Sequence, residues 1–367
     1  MDKLVYLYYI ILPVLLFFGA KIMKKGEWNE DVMSFDHTKA FLGFASIIII
    51  FHHTSQRTCA PWLSSVHIHH GLDAFIYIGY LFVAVFLLCS GYGMYSAHTK
   101  EGFFNKFFIR RILPLIIPTV IMWFVFYGAE KIMHVRVEKP IIINTYSYCW
   151  YIPCMIWLYL AFYISFHLVK KEKAQLPVLW ALVILYMVLA AIFSPGTWWL
   201  NTTHLFAVGV GLAKNKEKRF ERYKKGYALR IIIYSVVAAV FFYISNYYMD
   251  FLIMSGKMYN PVVNALIRLI GQLISAYAFA ILVMLIGMKV KIGNKVLSFL
   301  GRFTLETYLV HPFFVHVFCF AFIMDFAKPI FYIENQFLYV LAIIALSLPI
   351  AFVLNKLTSP LKKLNNK

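Results

Sequence analysis

Acidic residues are scarce in this chain. Sixteen Asp and Glu stand against 35 Lys and Arg in 367 residues, and charged residues of both signs make up only 14%. A soluble globular chain carries about a quarter charged residues, so there is too little polar surface to wrap a water-facing domain of this size. Cysteine is sparse as well. Cys59, Cys89, Cys149, Cys154 and Cys319 are scattered without a CxxC pair, and most lie in apolar runs, where they read as small core residues. There is no Gly-rich phosphate loop, no repeat with a clear period and no low-complexity linker. The ten-residue alternating segments of a membrane β-barrel are also missing.

What the chain has in abundance is apolar residues, at 62%. Apolar spans fall near residues 4–20, 38–53, 72–95, 111–128, 147–168, 176–193, 198–213, 229–248, 262–287, 303–324 and 336–355. Each approaches the ~20 residues that a bilayer core needs. The expected fold is an all-α polytopic membrane protein of about eleven transmembrane helices. Residues 4–20 resemble a signal peptide, but Lys3 is offset by Asp2 and no small-x-small cleavage site follows, so a retained helix is expected.

The basic residues test this count. Connections 21–39, 96–111, 169–175, 214–230, 288–302 and the tail 356–367 together hold 27 Lys and Arg, while the opposite side holds 7. By the positive-inside rule the N-terminus is outside and the C-terminus cytoplasmic. The net charge of +19 therefore follows from topology, and no nucleic-acid partner is expected. The densest segment, Lys214–Lys225, reads either as an anchor on anionic membrane lipid or as a landing site for an anionic cytosolic substrate.

Ionisable groups inside spans cost ~2.5–3.5 kcal/mol near the bilayer centre, so each needs a reason. The stretch Ser34–Gln56 runs from a polar lead-in with Lys39 through an apolar run to His52 and His53. Lys39 and His53 are fourteen residues apart, almost four turns, and so share a face, whereas His52 points elsewhere. Asp73 suits a helix N-terminus or orients an imidazole. His67, His69 and His70 cluster without carboxylate or cysteine ligand spacing, so no metal is expected. His204 lies beside a Trp198–Trp199 belt. Arg268 either snorkels or faces the interior, where it would hold an anion or a carbonyl oxygen. Glu306 stands one turn before His311; Pro312 follows His311 and can loosen the helix. His311 and His316 read as packed, hydrogen-bonded histidines. Arg110 and Arg111 read as anchors, and the glycines of Cys89–Tyr95 as close-packing positions.

Taken in order, these stretches resemble the acyltransferase-3 family of integral membrane O-acyltransferases. DHTKAFLGFASIIIIFHH is similar to its histidine-ending opening helix, and GYLFVAVFLLCSGYGMY to its Ser-Gly-aromatic helix. FFNKFFIRRILPLIIPT is similar to the basic, proline-bearing entry that follows, WYIPCMIWLY to the later Trp-Tyr entry, and FTLETYLVHPFF to the Tyr-Leu-x-His-Pro stretch. The resemblance implies a ten-helix core over residues 31–367, to which 1–30 adds one helix. It also implies acyl transfer, commonly acetyl from acetyl-CoA or another acyl-CoA, onto a hydroxyl of a cell-envelope glycan or its lipid-linked precursor, in a bacterial plasma membrane, with no bound cofactor. His53 would be the base, Asp73 would orient it, and Arg268 would contact the oxyanion or acceptor. Lys39, Arg110 and Arg111 would face the anionic donor, and His52, His204, Glu306 and His311 would line the substrate path. The family usually carries a basic residue eleven positions before its histidine; here that position is Leu42, counted from His53, and Lys39 is the nearest cation. Two other classes remain open: a transporter or flippase of a lipid-linked or anionic solute, and an inactive family member acting as a scaffold.

Overall fold

The computed structural model describes residues 3–63, 68–134, 148–194, 196–257, 260–319 and 331–363. It is almost wholly helical. In chain order the helices are α1 (Tyr8–Phe17), α2 (Phe35–Thr58), α3 (Gly79–His98), α4 (Phe107–Arg111), α5 (Leu113–Met133), α6 (Tyr151–Tyr163), α7 (Glu172–Phe193), α8 (His204–Lys214), α9 (Lys216–Lys224), α10 (Tyr227–Tyr243), α11 (Met249–Met254), α12 (Pro261–Gly287), α13 (Lys295–Leu300), α14 (Thr304–Val317) and α15 (Gln336–Lys363). Among the described residues the one sheet is a two-residue pairing in which β1 (Lys21–Ile22) lies antiparallel to β2 (Val290–Lys291). It ties the segment after α1 to the end of α12.

Among the described residues, seven helical segments are long and apolar enough to cross a membrane: Gly79–His98, Leu113–Met133, Tyr148–Leu168, Glu172–Phe193, Tyr227–Met254, Pro261–Gly287 and Gln336–Pro360. The other four expected spans fall on α1, α2, α8 and α14, which are shorter or more polar. The outer helices show why the chain needs lipid. In α7 the buried residues Leu179, Val183, Tyr186 and Ala190 form one stripe at helical spacing, while Ile184, Leu185, Val188, Ile192 and Phe193 are exposed. A surface that apolar has no stable place in water.

α2 is the opposite case. Every residue from Gly43 to Phe51 is buried, so this helix is apolar all round because it is enclosed all round. Its start is set by Ser34, whose hydroxyl caps the His37 N–H at 3.4 Å, with Asp36 in the first turn. It packs against α3, α13, α14 and α15. Contact with α13 is backbone to backbone: a Cβ on Gly43 would lie 2.0 Å from the Leu297 carbonyl oxygen, and one on Gly301 2.1 Å from that of Lys39. The same device joins α3 to α8, where Gly91 meets Phe206 O and Gly209 meets Leu88 O. These approaches leave α2 no room to rotate, which fixes the face it turns to the interior.

The expected basic loop at 214–225 is mostly helical. α9 buries Phe220 and Tyr223 and exposes its charges, and Lys224 bonds Glu30 at 2.9 Å. Beside Lys224 the Glu30 carboxyl is held below its ordinary range.

Candidate active site

α2 lines a cavity of about 1240 Å³ along its whole length, through Phe35, Thr38, Leu42, Ser46, Ile49, His53 and Gln56, with His52 and Arg57 at the far end. The three- and four-residue steps are one helical face. From Phe35 to Arg57 the ~1.5 Å rise gives about 33 Å, close to the ~30 Å hydrocarbon thickness of a bilayer. Near Thr38 the opposing wall is Phe86, Cys89, Leu115 and Leu305. At the other end it is dominated by imidazoles, amides, hydroxyls and large aromatics.

Three imidazoles meet there. The ring centroids of His52 and His53 are 5.0 Å apart, and those of His53 and His311 5.2 Å. His52 Nδ1 donates to the Phe75 carbonyl at 3.0 Å, and His311 Nδ1 to the Thr307 carbonyl at 2.8 Å. A carbonyl only accepts, so each bond places a proton on Nδ1, and in the neutral ring Nε2 is then the lone-pair nitrogen. His311 Nε2 is buried without a hydrogen-bond partner. Gly79 makes room for His52; a Cβ there would sit 2.2 Å from the imidazole Cδ2. One turn beyond His53, Arg57 Nη2 donates to His316 Nε2 at 2.7 Å. α14 runs unbroken through Pro312, which keeps His311 and His316 on the cavity wall.

Arg268 also lines this cavity, but its guanidinium is taken: Nη2 pairs with Asp250 Oδ1 at 2.5 Å, and the Tyr77 hydroxyl donates to the other carboxylate oxygen. Asp250 lies two residues past the apolar span expected at 229–248, so the partner of Arg268 was not in view. Beside this pair is a chain of amides. α10 ends in a π-helical turn, Ile244–Tyr248, a departure that π-bulges often make at functional sites. It turns Ser245 and Asn246 into the interior. Asn246 bonds Gln272, which bonds Asn201 and Thr197.

Against known protein families, residues 41–356 match the acyltransferase domain of the acyltransferase-3 type. The chain belongs to the acyltransferase-3 family. Comparison with curated proteins and with solved structures gave no match. Membership makes this a membrane acyltransferase and gives the cavity a chemistry to serve. α1 lies before the matched segment.

In this acyltransferase the residues singled out from sequence divide into two groups. His52, His53, His311 and Arg268 share the one cavity, with His316. The others lie elsewhere. Asp73 does not open α3 and does not reach His53: it begins a separate 3-10 turn six residues earlier, where its carboxylate accepts from His70 Nδ1 and the Gly71 N–H, both at 2.7 Å. The HHGLD loop folds back on its own acid. Lys39 stacks over the Phe35 ring at 3.7 Å and is not among the cavity-lining residues, whereas Leu42, the position of the family's usual basic residue, is. The Arg111 guanidinium sits 5.1 Å from the Phe103 ring, and neither it nor Arg110 reaches the cavity wall. Glu306 is buried against α15, where Asn355 donates to it at 2.8 Å. His204 sits at the α8–α12 contact, beside the Leu273 backbone. His67, Arg136, Lys139 and Lys328 lie outside the described residues.

Sequence reasoning passed over Arg57, counted only as a loop charge although it stands at i+4 from His53. It also passed over Asp250, Tyr77 and the amides. Uncharged amides escape a search for ionisable groups inside spans, and only the fold brings Asn201, Asn246 and Gln272 together.

Proposed function

We propose that this chain is an O-acyltransferase that moves an acyl group, acetyl in the simplest case, from a cytoplasmic acyl-CoA to a hydroxyl of a cell-surface glycan or its lipid-linked precursor. We place all eleven apolar spans in a bacterial plasma membrane, N-terminus outside and C-terminus cytoplasmic, with the helix of residues 1–30 preceding the acyltransferase domain. One observation carries the assignment: a single cavity follows α2 from Thr38 to His53, joining what would be the cytoplasmic end to the imidazole cluster. A pantetheine arm is a long, thin, largely uncharged chain, and the Leu42, Ser46 and Ile49 side of the cavity suits it.

At the cluster, His53 is the base. A neutral imidazole takes the proton of the acceptor hydroxyl as its oxygen attacks the thioester carbonyl. A C–O bond forms, the C–S bond breaks, and the proton returns to the departing thiolate. His311 and His52, each with its proton held on Nδ1 by a carbonyl, stand next to His53 as neutral neighbours. Arg57 has five N–H donors, of which the bond to His316 uses one; it is better placed than Arg268 to steady the oxyanion, because Arg268 is committed to Asp250.

Labelled acetyl-CoA supplied to inverted membrane vesicles tests this. Label should enter envelope glycan with wild type and be lost with His53→Ala, while His52→Ala retains more activity. Unchanged labelling by correctly inserted His53→Ala would remove His53 as the base. The same cavity could pass a solute, so movement of a lipid-linked saccharide without any labelling would instead support the transporter.

A further inference from the structure

The amide chain at the imidazole end has a direction. Asn246 Nδ2 donates to the Phe242 carbonyl at 2.8 Å, and a carbonyl cannot donate, so the other end of that amide is oxygen. Asn246 Oδ1 accepts from Gln272 Nε2 at 3.1 Å. Gln272 Oε1 is therefore an acceptor, taking Asn201 Nδ2 at 3.0 Å and the Thr197 hydroxyl at 2.8 Å. Polarity fixed at one backbone carbonyl thus propagates through three side chains. At its far end the Thr197 proton is spent and its lone pairs remain. Asn201 Oδ1 is buried with no partner, although buried polar atoms are rarely left so.

Two acceptors at a cavity wall complement donors. They repel phosphate and carboxylate, and Arg268, one turn before Gln272 on α12, is neutralised by Asp250. Beside them Trp198 is 45% exposed and lines the cavity. Its ring lies against Gly196, where a Cβ would come within 1.9 Å of Cζ3. Hydroxyl acceptors next to a flat apolar face match a sugar ring, which offers hydroxyl protons at its edge and C–H bonds on its face. We propose that Thr197, Asn201 and Gln272, with Trp198, form the shelf that binds an uncharged, hydroxyl-rich sugar, the acceptor of the transfer proposed above, on which this assignment rests. Thr197, half-buried, meets the ligand first; Asn201 is the more deeply buried. The starting end of the chain reaches Tyr80 through Asn246, and Tyr80 adjoins Gly79, the glycine that accommodates His52, so the shelf and the imidazoles belong to one space. Asn201 also opens an Asn-Thr-Thr sequence at 201–203, the pattern of a glycosylation acceptor, but at 2% exposure it is a wall residue.

The test is binding, independent of transfer. The full chain in nanodiscs is titrated with methyl glucoside, methyl galactoside and inorganic phosphate, and the unfolding midpoint is followed, since a ligand of the native state raises it. At least one glycoside should give a saturable rise, and phosphate none. Thr197→Val should weaken glycoside binding by about tenfold, and Thr197→Ser should restore it. Gly196→Ala, which displaces the Trp198 ring, should weaken it too. Thr202→Val removes another buried, unpartnered hydroxyl, one that is not on the cavity wall, and should bind as wild type does. No rise with either glycoside, an equal rise in Thr197→Val, or an equal rise with phosphate would overturn the shelf. Glycoside binding that needs Thr197, without any label transfer, would uphold the shelf and sink the transferase proposal; transfer insensitive to Thr197→Val would do the reverse.

Discussion

The two ends of the cavity are built from different materials. Around Thr38 the wall is Leu42, Ile49, Phe86, Leu115 and Leu305, with small polar groups at Thr38, Ser46, Cys89, Ser90 and Thr304. Around His53 it holds four imidazoles, two arginines and a run of amides, most of them hydrogen-bonded to a named partner. An apolar wall holds nothing in one orientation; a partnered polar wall holds its groups rigidly, which chemistry requires. On the mechanism proposed above, this division gives passage to one end and reaction to the other.

The largest effect should come from breaking the polar end. His53→Ala should lower acyl transfer by about 10²–10⁴-fold, measured as label entering glycan in vesicles. His311→Ala should also lower it, and the double variant should fall short of the product of the two, because groups acting as a unit are not additive. A full multiplicative loss would mean that the two rings act separately, despite centroids 5.2 Å apart.

Next is a plug in the apolar end. Ser46 lies midway along the cavity face of α2 and is 4% exposed. Ser46→Trp should obstruct the path and cut transfer on the order of 10²-fold, while the glycoside-induced rise of the unfolding midpoint stays intact. Overpacking itself costs ~1–3 kcal/mol, so the folded fraction is measured in the same preparation. Transfer at the wild-type rate through Ser46→Trp would show that the donor does not travel along α2.

How much of this was legible beforehand follows from what a single chain can display. Apolar runs announce themselves residue by residue, so helices were found at all eleven expected places, although only seven are long and apolar enough by themselves. Spacing along one helix is equally local, and His53 does lie on the face that runs back toward Thr38. Lys39 is absent from the cavity wall because its ammonium lies over the Phe35 ring, a choice of side-chain direction that spacing does not decide. Pairings between helices were out of reach: Arg268 with Asp250, Arg57 with His316, and Gln272 with Asn201 join residues whose partnership only the packing of the bundle decides. Asp73 was misplaced for a related reason, since an acid before an apolar run reads as a helix start whether or not a 3-10 turn intervenes.

A smaller effect should follow from unlocking the ion pair at the rim of the polar end. Asp250→Asn leaves Arg268 without its counter-charge. The side chains of Arg268 and Asp250 are 22% and 18% exposed, so the loss should be ~1–3 kcal/mol, below that of a fully buried pair. It would be read from the unfolding midpoint. Adding Arg268→Gln to Asp250→Asn should recover part of the loss, because the uncompensated cation is gone. A double variant as unstable as the sum of the singles would show that the pair is uncoupled.

The smallest effect should be at Lys39, and it sharpens the comparison at the apolar end. Its ammonium lies over Phe35, a contact worth ~0.5–1 kcal/mol at an accessible site, so Lys39→Ala should lower stability by about that much and leave transfer unchanged. Leu42→Lys should behave differently, since position 42 is on the cavity wall and a cation there meets the donor directly. It should change the KM for acetyl-CoA, whereas Lys39→Ala should not. If Lys39→Ala abolished transfer and Leu42→Lys restored it, the two positions would be exchangeable. The apolar end would then depend on a cation reaching in from the helix edge, and its smooth wall would not be a sufficient passage.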